Sequence, residues 1–372
     1  MHAWSLDELL AALQDTSKPF PAAGLYRLSD LPPEEAKAIA AIWPKLPLAR
    51  RRALVEDMQS FLDYSDRFSF VEMGLIALND EDPYVRQRAI ELLWGEADER
   101  LIPHLVRVLR EDPDTRVRAQ AAAALGEYVY LGEVEEISPR RYQEVAEALR
   151  AVLTDETEPL EVRRRALEAY SFASDPDVAR WIEAFYQRGT QDDDEESLLS
   201  ALFAMGRSAD PRWTRYVVLH LHDRRPKVRA EAATAAGRLE MKRVIPDLLE
   251  LLEDADRDVR MAAAWALSEL GGGEDEVERA LQRALQHAED VNDEEEMQVL
   301  AEALDNLAFN TSLVTAQLDL LDLLLDGADL IDDVTLDLPD EYYRTQRTSH
   351  SGFEGTNGAS HKSNSKSSKP KS

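Results

Sequence analysis

The chain contains no cysteine, which excludes disulfides, thiolate metal sites and a cysteine nucleophile. Glycine is scarce, 15 of 372 residues. No glycine-rich loop that could cradle a phosphate occurs, and Gly271-Gly272-Gly273 reads as the stop of a helix. Histidine is limited to His2, His104, His220, His222, His287, His350 and His361. Of these only His220 and His222 cluster, beside Asp223, and residues two apart on a helix face different ways, so they make poor joint metal ligands. Ser, His and Asp never fall into a nucleophile motif. No stretch approaches the roughly 20 apolar residues of a membrane span. The N-terminus lacks the basic start and long apolar core of a signal peptide, and Ser5 with Glu8 reads instead as a capping box for a short helix. A soluble cytoplasmic protein without a cofactor or metal is the expectation.

What the chain does have is Ala, Leu, Glu, Asp and Arg, an all-helical composition. The net charge is −30 and uneven. Beyond Tyr343, six Lys and Arg stand against Glu354 alone, a balance of +5 that leaves −35 on residues 1–343. So acidic a body repels phosphate backbones and tolerates a basic partner; it also keeps a long, open protein soluble.

The dominant feature is a motif that returns about every thirty residues: an acidic turn, Val-Arg, then Ala three positions after the Arg. Clear copies are Asp82-Pro83-Tyr84-Val85-Arg86 with Ala89, and Asp112-Pro113-Asp114-Thr115-Arg116-Val117-Arg118 with Ala121, Leu125 and Gly126. Val162-Arg163, Val228-Arg229 and Val259-Arg260 open three more. The Arg-to-Arg steps are 32, 45, 66 and 31 residues. A degenerate copy, Ser197-Leu198 with Ala201, Met205 and Gly206, divides the longest, and residues 131–141 form an insertion that accounts for much of the 45. Val117, Ala121, Ala124 and Leu125 fall on one stripe of an amphipathic helix. A second apolar run precedes it, Leu101-Ile102-Pro103-His104-Leu105-Val106, with its Pro suited to a first helical turn. Each unit is therefore a helix, a short acidic turn and a second helix, and neighbours must stack to bury both apolar faces.

These copies resemble HEAT repeats, specifically the HEAT-like repeat of the phycobilisome-lyase type, over about residues 47–308. The resemblance implies an all-α fold, an alpha-alpha superhelix of the HEAT/armadillo-like solenoid kind with about seven to eight helix pairs. It says little about activity, because the repeat serves scaffolds, lyases, hydroxylases and DNA glycosylases alike. The deoxyhypusine hydroxylases of this group bind iron through His-Glu pairs on successive helices; no His-Glu dipeptide exists here, so that chemistry is not carried over. The alkylpurine DNA glycosylases use a basic concave face, whereas Arg88, Arg164 and Arg165 are interrupted by Glu91, Glu168 and Glu231. The organisation expected is a capped helix and linker over 1–32, the solenoid over 33–310, an acidic segment over 311–343 and a disordered basic tail over 344–372. Within the acidic segment, residues 313–326 are strongly apolar and read as a cap on the last repeat or as a motif for another protein's groove.

In such a solenoid the second helices line the concave face. Arg86, Arg118, Arg163, Arg229 and Arg260 are expected to form a structural ladder, pairing with turn Asp residues that also cap helices. The positions left facing outward are polar in the first half, and present Leu199, Phe203, Met261 and Trp265 in the second. Either these anchor a bound extended or helical peptide, with Arg164 and Arg165 pairing to its acids, or each reaches a neighbour and buries. The expected function is a non-catalytic scaffold or adaptor of bacterial flavour. It would be monomeric and bind a protein partner, with no nucleic acid and no membrane. A phycobilin-lyase-like enzyme or enzyme subunit is the alternative; a DNA alkylpurine glycosylase is disfavoured.

Overall fold

The computed structural model describes residues 4–65, 67–271 and 275–312, which fall almost wholly in one compact unit, Met1–Thr311. The segments read above as an apolar cap and a basic tail lie outside the described residues.

Every described element is helical. Two leading helices, α1 (Leu6–Gln14) and α2 (Ala22–Leu28), precede a series of pairs. These are α3 (Pro33–Ile42) with α4 (Leu48–Tyr64), α5 (Val71–Ala77) with α6 (Pro83–Leu92), and α7 (Ile102–Glu111) with α8 (Thr115–Glu133). Then come α9 (Pro139–Thr154) with α10 (Leu160–Tyr170), α11 (Val178–Gln191) with α12 (Glu195–Arg207), and α13 (Thr214–His220) with α14 (Pro226–Arg238). The series closes with α15 (Ile245–Leu251) and α16 (Arg257–Leu270), then α17 (Asp275–Val291) and a helix α18 over 294–312. Each pair meets the next, and the second helices α4, α6, α8, α10, α12, α14 and α16 stack in an unbroken row. The result is an alpha-alpha superhelix.

Local chemistry sets the helix ends. Ser5 and Glu8 form a reciprocal capping box on α1. Asp82, Asp114, Asp194 and Asp256 cap α6, α8, α12 and α16 by accepting backbone N–H groups. Pro103 and Pro246 occupy the first turns of α7 and α15, where no N–H is needed. Gly271 ends α16 at a φ of 71°, a conformation that a side chain resists. The insertion expected at 131–141 is not a loop of its own: α8 runs on through Glu133 and α9 begins at Pro139, so two long helices of 19 and 16 residues absorb it.

The core is a continuous apolar seam between the rows, made by one stripe of each helix. Val85, Val117, Val162, Val228 and Val259, which open the motif copies, are wholly buried or nearly so. Small residues let the second helices approach closely. A side chain added at Gly206 would sit 3.0 Å from the Ala235 Cα, and one at Gly237 3.0 Å from the Ala266 Cα. These glycines are fixed by interhelical distance, not by backbone conformation.

Candidate functional site

The turn arginines come first because they fix how the second helices sit. Arg86 grips Asp112 with two bonds of 2.7 and 2.8 Å, Arg229 grips Asp254 at 2.8 and 2.8 Å, and Arg260 grips Glu296 at 2.6 and 2.6 Å. Arg118 reaches Glu158 at 2.9 Å. Each also donates to a carbonyl six residues back, as Arg86 does to Asp80 at 2.9 Å. The carboxylate in each pair comes from the following repeat, so the ladder clasps repeat to repeat. In three turns the paired acid is not the capping one but the acid two residues earlier: Asp80, Asp112 and Asp254 precede the caps Asp82, Asp114 and Asp256. Each of the three accepts the backbone N–H of its cap residue while holding an arginine. Arg51 of α4 adds a rung to Asp80 at 2.7 Å, which the divergent first repeat concealed.

Arg163 stands outside this scheme. It reaches only the Leu153 carbonyl, at 3.5 Å, lies over the Phe185 ring, and its buried Nε has no partner. The next turn departs from the pattern, with Asp192 closing α11 and Asp193 at a φ of 55°. Leu198 then occupies the motif's Arg position on α12.

The inner row carries a recess of about 500 Å³ where α8, α10, α12 and α14 converge. Glu161, Arg164, Arg165 and Glu168 line it from α10, and Glu196, Leu199, Ser200, Phe203 and Arg207 from α12. Trp94, Ala123, Ala169 and Glu231 complete the wall. Four residues singled out from the sequence thus meet here: Leu199, Phe203, Arg164 and Arg165. Met261 and Trp265 are not part of it. They sit on α16, Met261 half-buried and Trp265 exposed with its indole N–H donating to Glu269 Oε1 at 3.1 Å. The apolar residues therefore do not form one stripe. Leu199 packs against the core, and Phe203 is flanked by guanidiniums, Arg207 at 5.8 Å and Arg238 at 5.0 Å from its ring centre. Arg165 is already engaged, donating to Glu168 Oε2 at 2.6 Å, and Ser200 holds the other oxygen of Glu168 at 2.6 Å.

Three groups in and near this recess whose titration is displaced had no positive signal in the motif. Glu231 enters an Ala-rich helix at an outward position, and in the folded protein its Oε1 is sealed from solvent with no hydrogen-bond partner. Burial pushes its carboxyl up to about 7, against the pull of Arg238 and with a small push from Glu168. Burial likewise raises Glu269, whose Oε2 has no hydrogen-bond partner. Arg207 is held down by burial and by the neighbouring Arg238. A carboxyl that titrates near neutrality in a recess can accept or give a proton at working pH.

Histidine is dispersed. His220 is buried between the Tyr186 hydroxyl and Asp223, both at 3.1 Å, while His222 turns away to Asp247 at 3.0 Å. Burial lowers His104. Among the described residues no group of three or more His, Asp or Glu is arranged to hold a metal ion. None of the described helices is long and apolar enough to cross a membrane.

Comparison with known proteins places these features. A profile for HEAT repeats matches residues 72–171 and 214–305. A deoxyhypusine hydroxylase from Eremothecium gossypii is 29% identical over 205 residues, covering 49% of this chain and 62% of that protein. One from Rattus norvegicus is 32% identical over 130 residues, covering 34% and 41%. The chain thus spans less than two thirds of the length of either curated relative. Among solved structures, a phycocyanin lyase complex from Nostoc sp. PCC7120 is 18% identical with a TM-score of 0.43, covering 64% of this chain and 94% of that one. Human deoxyhypusine hydroxylase in complex with glycerol is 21% identical with a TM-score of 0.32, covering 74% and 96%. The curated relatives correct the expectation of a non-catalytic scaffold that is no enzyme, because both are named for an enzyme. They do not supply a metal centre: the absence of His-Glu pairs and the dispersal of the described histidines do not fit one. The profile takes in both runs of motif copies, each built of stacked helix pairs, and the chain belongs to the HEAT-repeat family.

Proposed function

We propose that this protein is an enzyme, or the substrate-holding body of one, that acts on an amine-bearing residue of another protein, of which deoxyhypusine is the example its relatives' name supplies. The recess over α10, α12 and α14 receives that residue, and Glu231 exchanges a proton with it. The observation that carries the reading is Glu231 itself, a carboxyl in a cavity, near neutrality, with a sealed and unpartnered oxygen. Three further carboxylates, Glu161, Glu168 and Glu196, line the same cavity, and a body of net charge −35 draws a cationic substrate toward it. The residue-level roles are ordinary acid–base and positioning chemistry. Glu231 takes or returns the proton, Glu168 is held in place by Ser200 and Arg165, and Trp94 walls one side. No step is assigned to a metal.

The test is calorimetric titration with a synthetic peptide carrying one deoxyhypusine, beside the same peptide with lysine. It is run below and above about pH 7. Tighter binding of the deoxyhypusine peptide is expected, with proton exchange on binding that is lost in Glu231→Gln. A peptide bound no better than its lysine counterpart, or proton exchange undiminished in Glu231→Gln, sinks the reading.

A further inference from the structure

We infer that the recess contains an oxyanion-binding site centred on Arg207, which takes a carboxylate or a phosphate of a ligand through its unpaired guanidinium. The inference goes beyond the function proposed above and does not depend on it.

The argument begins with how the other arginines are used. Arg51, Arg86, Arg118, Arg229 and Arg260 each hold a carboxylate of the next repeat, and Arg165 holds Glu168. Arg207 is half-buried yet makes no hydrogen bond or ion pair with any described residue; its recorded contacts are the rings of Phe172 and Phe203, both 5.8 Å away. Partial burial of a guanidinium without an anion is unfavourable, and the fold keeps this one beside a second cation, Arg238, which shares the Phe203 ring with it.

The local carboxylates do not serve as its partner. Glu168 has one oxygen on Ser200 and the other on Arg165. Glu231 has one oxygen sealed away, and its charge interactions are with Arg238 and Glu168, not Arg207. The cavity wall thus holds a positive group with no internal counter-ion.

The rings decide what kind of ligand fits. The guanidinium carbon of Arg207 lies 5.8 Å from the centres of both the Phe172 and Phe203 rings, so two aromatic walls flank it, and none of its N–H groups is taken by a described residue. The paired N–H groups of a guanidinium match the two oxygens of a carboxylate or phosphate. The recess, about 500 Å³, admits a ligand carrying such a group.

The experiment follows the Arg207 Nε–Hε resonance in 15N-labelled full-length protein. It is titrated separately with acetate and with inorganic phosphate at constant ionic strength, with sodium chloride as the control. Arg207→Gln assigns the resonance by its disappearance. Saturable movement is expected with at least one anion, while Arg165 follows the chloride control. Tighter binding of phosphate points to a phosphoryl ligand, and equal or tighter binding of acetate to a carboxylate. In parallel calorimetry Arg207→Gln should lose most of the affinity, and Arg207→Lys, which keeps the charge but not the fork, should retain part of it. Unsaturable drift equal to that in chloride overturns the inference, and so does undiminished binding in Arg207→Gln. If that variant does not fold, the wild-type titration and Arg207→Lys still decide. Neither anion is an amine, so failure here leaves the proposed substrate class standing, and the reverse also holds.

Discussion

At the scale of single residues, buried charge is where the chain is most exposed to damage. The Arg86 and Asp112 side chains are only 10% and 5% exposed. Removing one partner strands the other, at about 3–5 kcal/mol. Arg86→Ala should therefore unfold at markedly lower urea, followed by helical circular dichroism, while Arg163→Ala, which breaks no ion pair, should lose much less. Equal losses would deny the ladder its role. Glu231 gives a second prediction, with the opposite sign from an ordinary acid. Its carboxyl is raised from 4.5 to about 7 on folding, so the folded state holds a proton that the unfolded state has released. Stability should fall as pH rises between those values and then level off. Glu231→Gln should flatten that descent and leave the variant the more stable above about pH 7. A profile unchanged by the substitution would show that Glu231 is not the group responsible.

At the scale of the element, the sequence was most readable where one position does one job in every copy. Val-Arg opens α6, α8, α10, α14 and α16, and the spacing of the copies located these helices. The acid that pairs with each arginine was harder to identify, because Asp80 and Asp82, or Asp112 and Asp114, are the same chemistry two residues apart. Only the turn geometry separates the cap from the partner. Leu199 and Met261 share one motif position, and Phe203 and Trp265 another, but their surroundings differ. Phe203 meets Arg207 and Arg238, whereas Trp265 meets Glu269 and lies two helices along. Arg207 and Glu231 were illegible as site residues because their character comes from burial by other repeats, which no local pattern encodes. The glycines give a test of helix spacing. At Gly237 a Cβ would stand 3.0 Å from the Ala266 Cα and 2.5 Å from Glu269 Oε2. Gly237→Ala should cost about 1–3 kcal/mol through overpacking, despite the better helix propensity of alanine. A stabilised variant in chemical denaturation would show that α14 and α16 can part without penalty.

At the scale of the whole molecule, a solenoid is held by neighbours alone, so its stability is a chain of local joints. Those joints are unequal. Paired arginines clasp the repeats before α10 and after α14. From α12 to α14 a rung is missing because Leu198 stands where the arginine would be, and between α10 and α12 one is missing because Arg163 finds no carboxylate. These two helices also meet less extensively than α8 with α10 or α14 with α16. Hydrogen exchange should therefore find α10 and α12 opening ahead of α8 and α16; uniform protection along the row would contradict this. The unclasped joint runs beneath the recess that holds Glu168, Ser200, Phe203 and Arg207. A guest seated there would bridge two halves that the fold has left unbuttoned, so occupancy and stiffness would rise together, and the same gap that lets the walls part would let a ligand draw them shut.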